Sequence, residues 1–162
     1  MKLVLPSAKW KEAYERAVKE VDPQENMSMN HYATPFKEKL QRLEQNRTNP
    51  TDGWVHATEY WIIDKQEYCG RISLRHYLND FLRESYGHIG YDIVPNKRGR
   101  GYATKALAMC LKKAKKLGLN EILISCDADN PASRRVIEKN GGILFEQKMY
   151  NDKELLRFKI TI

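Results

Sequence analysis

Residues 96–107 read NKRGRGYATKAL. Gly99 and Gly101 stand among Lys97, Arg98 and Arg100, and an alanine-rich helical pattern begins at once behind them. In front lies GHIGYDIVP (87–95), a strand-like run closed by Pro95. Behind, Ala103, Ala106, Leu107, Cys110, Leu111, Ala114 and Leu117 form one apolar stripe at helical spacing. Gly118 follows in the C-cap position. EILISC (121–126) then reads as a short, apolar strand. A strand–helix–strand unit of this kind sets its two strands parallel. A helix N-terminus offers unpaired N–H groups and a partial positive charge. Glycine lets that backbone approach a ligand, and arginine adds charge-assisted hydrogen bonds. The turn is therefore built for a phosphate or pyrophosphate.

Working outward, KLVL (2–5) reads as a first strand stopped by Pro6. Ser7 is placed to cap a helix to about Glu20, with Trp10, Ala13, Tyr14, Ala17 and Val18 on one face. DPQENMSMN (22–30) is a polar loop, and a second helix is expected from about Thr34 to Gln45. NRTNPTDG is a turn-rich break. WVHATEYWIID and YCGRISLRHYL, separated by KQE, predict a hairpin, with a helical turn in LNDFLRESY after it. The strand in GHIGYDIVP then follows antiparallel to its predecessor. NPASRRVIEKNGG predicts a helix capped by Asn130, with Pro131 first and glycines at its end. ILFEQKMY and ELLRFKITI predict a closing hairpin.

The length of 162 residues suits a single domain over 1–162, enough to bury about 70% of its unfolded surface. No apolar run approaches the roughly 18 residues of a membrane span, and MKLVLPSAKW is too quickly polar for a signal peptide. Cys69, Cys110 and Cys126 are odd in number and form no C-x-x-C pair, which predicts reduced, buried thiols in a cytoplasmic setting. His31, His56 and His76 are dispersed, so no metal site is expected. Net charge is +7, yet residues 93–120 hold eight basic residues and no acidic one. The excess is local, which points to an anionic ligand at the turn. Lys112, Lys113, Lys115 and Lys116 read as a solvated helix end.

Three phosphate patterns compete at the turn. G-x-x-x-x-G-K-[ST] is unmatched, because YATK follows Gly101. G-x-G-x-x-G has Thr104 in place of its third glycine. The pattern [RQ]-x-x-G-x-[GA] is satisfied by Arg98, Gly101 and Ala103. Joined to HIGY before it and to EILISC, DNPAS and VIEKNGG after it, this pattern resembles the GNAT superfamily of N-acetyltransferases along almost the whole chain. A bacterial subgroup of small predicted acetyltransferases is the nearest resemblance.

The resemblance implies an α+β fold. Its mixed, mostly antiparallel sheet has about seven strands, with a central parallel pair splayed at the coenzyme site and about four flanking helices. It implies acetyl-CoA as co-substrate and an amine as acceptor. The pyrophosphate would lie on backbone N–H groups of Arg98, Gly99, Arg100, Gly101, Tyr102, Ala103 and Thr104. A bulge in the region of Tyr91 to Val94 would offer a backbone N–H, at Ile93 or Val94, to the thioester oxygen. Asn130 would bond the pantetheine arm, and Ser133 would lie near the sulfur. Both also read as helix-start capping residues. The tyrosine that many members place seven residues after this asparagine is Ile137 here.

For the base, counting back six from Val94 gives His88, whose reference pKa of about 6.5 suits proton transfer at neutral pH. His76 and Glu84 stand in reserve, and Asp92 shares the face of His88 by alternation. A histidine held only by its neighbouring strands is the competing reading. Cys126 as a covalent nucleophile lacks a partner histidine. The acceptor side is expected along residues 21–36, 75–84 and 147–153, which carry Glu25, Asp80, Glu84, Tyr32, Phe36 and Tyr77. Two alternatives stand beside direct acetyl transfer. One is nonspecific nucleic-acid binding through residues 93–120, opposed by the lack of interleaved aromatics. The other is a catalytically silent acyl-CoA binder. A monomer or a homodimer is expected.

Overall fold

Two hairpins with two-residue turns organise the strands. The computed structural model describes residues 1–19, 21 and 34–162. Strands β2 (Ala57–Asp64) and β3 (Glu67–Arg75) join through Lys65 and Gln66, at φ of 46° and 66°. Strands β6 (Ile143–Tyr150) and β7 (Lys153–Thr161) join through Asn151 and Asp152, at φ of 48° and 62°. Two successive left-handed residues make the type I′ turn, whose twist matches that of paired strands. β1 (Lys2–Val4) pairs with β2, and β4 (Ile89–Ile93) with β3, giving a four-stranded sheet of order β1-β2-β3-β4. β5 (Glu121–Asp127) pairs with β7, giving a three-stranded sheet of order β5-β7-β6.

The α+β class and the seven strands among the described residues agree with the expectation. The central pair is arranged differently. Every ladder among the described residues is antiparallel. β4 and β5 meet only at one isolated bridge, Gly87 with Ile124, where His88 N–H donates to Leu123 O at 2.7 Å. Gly87 makes this join possible. Its φ is +67°, and a Cβ there would stand 2.2 Å from Leu123 O. Away from the join the two strands share no ladder.

Among the described residues five helices flank the sheets: α1 (Lys11–Lys19), α2 (Phe36–Thr48), α3 (Asp80–Glu84), α4 (Tyr102–Lys116) and α5 (Pro131–Glu138). Ser7 does not cap α1. A 3-10 turn (Ala8–Trp10) intervenes, and the Ser7 side chain makes no capping bond. α2 runs past Gln45 to Thr48, because Arg47 pairs with Glu44 and Thr48 Oγ1 donates to Glu44 O, so the break comes only at Asn49 and Pro50. The polar loop at 22–30 lies outside the described residues.

α4 carries the main packing. Ala106, Leu107, Cys110, Leu111 and Ala114 are buried against Ile62, Ile72 and Leu74 of the first sheet and Ile122, Leu156 and Phe158 of the second. Leu117, the last residue of the predicted stripe, is half exposed. Each fully buried aliphatic side chain contributes about 1.5–3 kcal/mol, so α4 unites the two sheets where no ladder does. On the other face Trp10, Tyr14, Trp61, Ile63, Tyr68 and Val94 form a second cluster, with Phe36 and Leu40 packed on it. Tyr14 stacks on Trp61 at 4.9 Å. Lys39 is fully buried there, its ammonium 5.1 Å from the Tyr14 ring centre. Burial pulls its pKa from 10.5 down to about 7, against the opposing pull of Glu59.

Candidate active site

The glycine turn begins where β4 ends. One 3-10 turn, Pro95–Lys97, leads to an extended Arg98. Gly99 then lies at φ +74° and Gly101 at φ +76°, and α4 starts at Tyr102. No heavy atom beyond the chain neighbours lies within 4 Å of where a Cβ would stand on either glycine. Glycine serves the backbone conformation here, and the space in front of it is open. The first intrahelical bond runs from Lys105 N–H to Gly101 O at 3.1 Å, so the N–H groups of Tyr102, Ala103 and Thr104 precede the helical ladder. A serine or aspartate N-cap would occupy one of them; Gly101 cannot.

Side chains pin the turn in place. Lys97 pairs with Glu67 at 2.6 Å, and Tyr102 OH donates to Asp64 Oδ2 at 2.8 Å, so both are tied to the β2–β3 hairpin. Arg98 Nε folds back on Ile93 O at 3.0 Å. Arg100 is exposed, and among the described residues no ion pair holds it. A shallow cleft lined in part by Arg16, Glu67, Asn96 and Lys97 lies beside α1.

Beside the turn, β4 and β5 open away from their join. The expected bulge is not in β4, whose register against β3 runs unbroken from Ile89 to Ile93. It lies in β3, where Cys69 is the extra residue between the pairs Ile62–Gly70 and Ile63–Tyr68. Val94 N–H is committed to Cys69 O at 3.1 Å, and Arg75 N–H to His88 O at 2.8 Å. Alternation between these two bonds turns the N–H groups of Tyr91 and Ile93 toward the opening. Of the two expected donors, the geometry therefore favours Ile93 over Val94.

Tyr91 crosses the opening, a contact that sequence reasoning missed. Its hydroxyl lies 2.7 Å from Ser133 Oγ and 3.2 Å from Ser133 O. Burial pushes its pKa up to about 12. Asn130 caps α5, its Oδ1 accepting from Ser133 N–H at 2.9 Å, so Asn130 and Ser133 face one helix start together. Ile137, at the place of the common family tyrosine, is fully buried in the core. Cys126 is buried, and desolvation lifts its pKa to about 11, which favours the thiol over the nucleophilic thiolate.

His88 is placed differently from its expected role as base. Its Nδ1 accepts from Leu123 N–H at 3.0 Å, which assigns the proton to Nε2 in the neutral ring. Burial and the nearby Arg83 and Arg75 lower its pKa. Accepting a proton from an amine would require breaking the Leu123 bond, so this geometry makes His88 a fastening between the sheets. The reserves are engaged elsewhere. His76 Nε2 lies 2.8 Å from Thr58 Oγ1, and Glu84 is paired with Lys148 at 2.6 Å. Asp92 stands opposite Arg71 in the register. On the expected acceptor side, Tyr77 is half exposed and Phe36 joins the Tyr14 cluster. Glu25, Tyr32 and His31 lie outside the described residues.

The fold and this turn define an acetyltransferase of the GNAT class. Residues 9–143 match the acetyltransferase (GNAT) domain, and the chain belongs to that family, whose members take the acetyl group from acetyl-CoA as co-substrate. A comparison with curated protein sequences found no match. Solved structures of the same fold include RimL, a ribosomal L7/L12 alpha-N-protein acetyltransferase in complex with coenzyme A. It has a TM-score of 0.71 at 20% identity, over 99% of this chain and 93% of that one. The microcin C7 self-immunity acetyltransferase MccE, in complex with acetyl-CoA and AMP, has a TM-score of 0.71 at 18% identity, over 99% and 91% of the two chains. A spermidine N-acetyltransferase SpeG mutant from Vibrio cholerae has a TM-score of 0.67 at 16% identity, over 99% and 95%. At these identities the likeness is one of fold.

Proposed function

We propose that the chain moves the acetyl group of acetyl-CoA directly to a primary amine, with the pyrophosphate on the turn formed by Arg98, Gly99, Arg100, Gly101, Tyr102, Ala103 and Thr104. The observation that carries this proposal is the left-handed glycine pair at the start of α4, which leaves the first helical N–H groups to an anion. Arg100 adds an exposed guanidinium to the turn. Acetyl-CoA supplies an acyl group already activated as a thioester.

The chain's own residues do the rest. Ile93 N–H, turned to the opening, stabilises the negative charge that develops on the carbonyl oxygen. Asn130 presents its amide N–H groups to the pantetheine arm while its oxygen caps α5. The amine nitrogen bonds to the carbonyl carbon and sheds one proton to solvent, the carbon–sulfur bond breaks, and the sulfur leaves with the electron pair as a thiolate that takes up a proton from solvent. Tyr91 OH, 2.7 Å from Ser133 Oγ, holds the serine hydroxyl at the opening, where it hydrogen-bonds the departing sulfur. With the His88 lone pair occupied, the amine enters in its neutral form, having lost a proton to water. The neighbours named for acetylating spermidine and protein alpha-amino groups support an amine as acceptor.

The test is calorimetric titration with acetyl-CoA, with NADH and a short DNA duplex as comparisons. Acetyl-CoA binding that weakens about tenfold or more in Arg100→Glu supports the proposal. Salt-steep DNA binding without acetyl-CoA binding would overturn it.

A further inference from the structure

β4 carries a glycine that the fold itself does not ask for. Gly90 sits in the middle of the strand, opposite Ser73 in an unbroken register. It is not among the left-handed residues, and a Cβ there would meet no heavy atom within 4 Å among the described residues. Gly70 and Gly87 differ, since a Cβ on either would stand 2.2 Å from a carbonyl oxygen. Glycine inside a strand weakens it, and it often marks a place where a ligand comes close to the backbone.

Ile89 and Ile93 are buried in the core beneath α4, so alternation turns Gly90 to the opposite face of the sheet. His88, just before β4, and Ser73 and Arg75 of β3 share that face. All three bring hydrogen-bond donors. Arg75 commits Nη1 to Gly87 O at 2.8 Å, and among the described residues no ion pair holds it. The His88 Nδ1 is occupied by Leu123 N–H, which leaves Nε2–H as a donor. The Ser73 hydroxyl makes no hydrogen bond among the described residues. Ser73 and Arg75 are partly exposed and His88 is 8% exposed, so the three are not sealed in. The acids nearby answer to other cations: Glu59 pairs with Arg71 at 3.6 Å, and Glu84 with Lys148 at 2.6 Å. Asp92, two residues on toward the opening, stands opposite Arg71. Burial, and after it the charge of Arg71, lower the pKa of Arg75.

We infer that this patch is an anion subsite on the acceptor side, so that the amine acetylated carries a small anionic group within a few bonds of its nitrogen, and Arg75 selects for it. The inference rests on the acetyl transfer proposed above. The anionic group lies over Gly90, where a side chain would displace it. Arg75 supplies charge-assisted hydrogen bonds, with Ser73 and His88 donating beside it. The nitrogen points along β4 to the Tyr91 and Ile93 N–H groups at the opening. A polyamine would set its own cations against Arg75 and Arg71.

The test counts acetylated product by mass spectrometry, with acetyl-CoA and α-, β- and γ-amino acids, each beside its amide. Phosphoethanolamine beside ethanolamine tells phosphate from carboxylate, and spermidine serves as the polycation. At least one anionic amine should show kcat/KM about tenfold or more above its uncharged counterpart, because a site of such donors rejects a partner that cannot pair with them. Arg75→Gln should bring the two members of that pair together, and Gly90→Val should raise KM for the anionic member. Acetyl-CoA titration of each variant reports whether it is folded, and Gly90→Val carries the test if Arg75→Gln is not. Equal or better turnover of the uncharged amines or of spermidine overturns the inference. So does a preference that survives in both variants, or acetyl-CoA binding with no anionic amine acetylated. Absence of acetyl-CoA binding to the unaltered chain would instead overturn the underlying acetyl-transfer reading, and this inference with it.

Discussion

In the proposed reaction, departure of the sulfur turns on Tyr91. It is held as a phenol by burial and meets Ser133 at 2.7 Å, so its effect on the reaction passes through the serine. Tyr91→Phe is expected to lower kcat about tenfold, the worth of one hydrogen bond of ~1.4 kcal/mol, and to leave acetyl-CoA affinity unchanged. Ser133→Ala should do the same, and the double variant no more than either alone. Steady-state kinetics on the three variants decide it, and additive losses would mean two independent roles. Lys39 gives a second prediction, in stability. Its folded pKa of about 7 lies below its ordinary 10.5, so the fold favours the neutral amine. That stability is complete only above the unfolded value and is lost as pH falls toward 7. Urea unfolding between pH about 7 and 10 should show the native chain gaining stability, and Lys39→Met should flatten the gain.

Among the elements, those built from neighbours in sequence were the legible ones. The glycine turn, α4 and both hairpins declare themselves through local backbone demands and spacing. The C-terminal end of α2 did not, because Asn46 and Thr48 are common turn residues that here are held by Arg47 and the Glu44 carbonyl. The site was half legible for a related reason. Period-two alternation divides β4 into one face with His88 and Asp92 and another with Tyr91 and Ile93, yet it does not say which of them looks into the opening. Alternation alone therefore points to His88 as readily as to Tyr91, and the Tyr91–Ser133 contact, between residues 42 apart, has no local signature. The join at Gly87 is equally remote in sequence, since Leu123 and Ile124 lie beyond the whole of α4.

At the scale of the molecule, the two sheets share one backbone join, a few side-chain contacts around it and the core beneath α4. Gly87→Ala brings a Cβ against Leu123 O and strains a left-handed residue, an expected loss of at least about 2 kcal/mol. For a chain of this size the melting temperature should drop by about 4–8 °C, and kcat should fall with it because the opening is reshaped. Scanning calorimetry beside an activity assay checks both, and full activity at a lowered melting temperature would separate the join from the chemistry. The three thiols of the molecule sit in that same interior, with burial raising the pKa of Cys69, lifting Cys110 to about 12 and Cys126 to about 11. A colour-forming disulfide reagent added during turnover therefore reports only the coenzyme thiol set free. It begins to count protein sulfur when the core comes apart, so one cuvette records both reaction and unfolding.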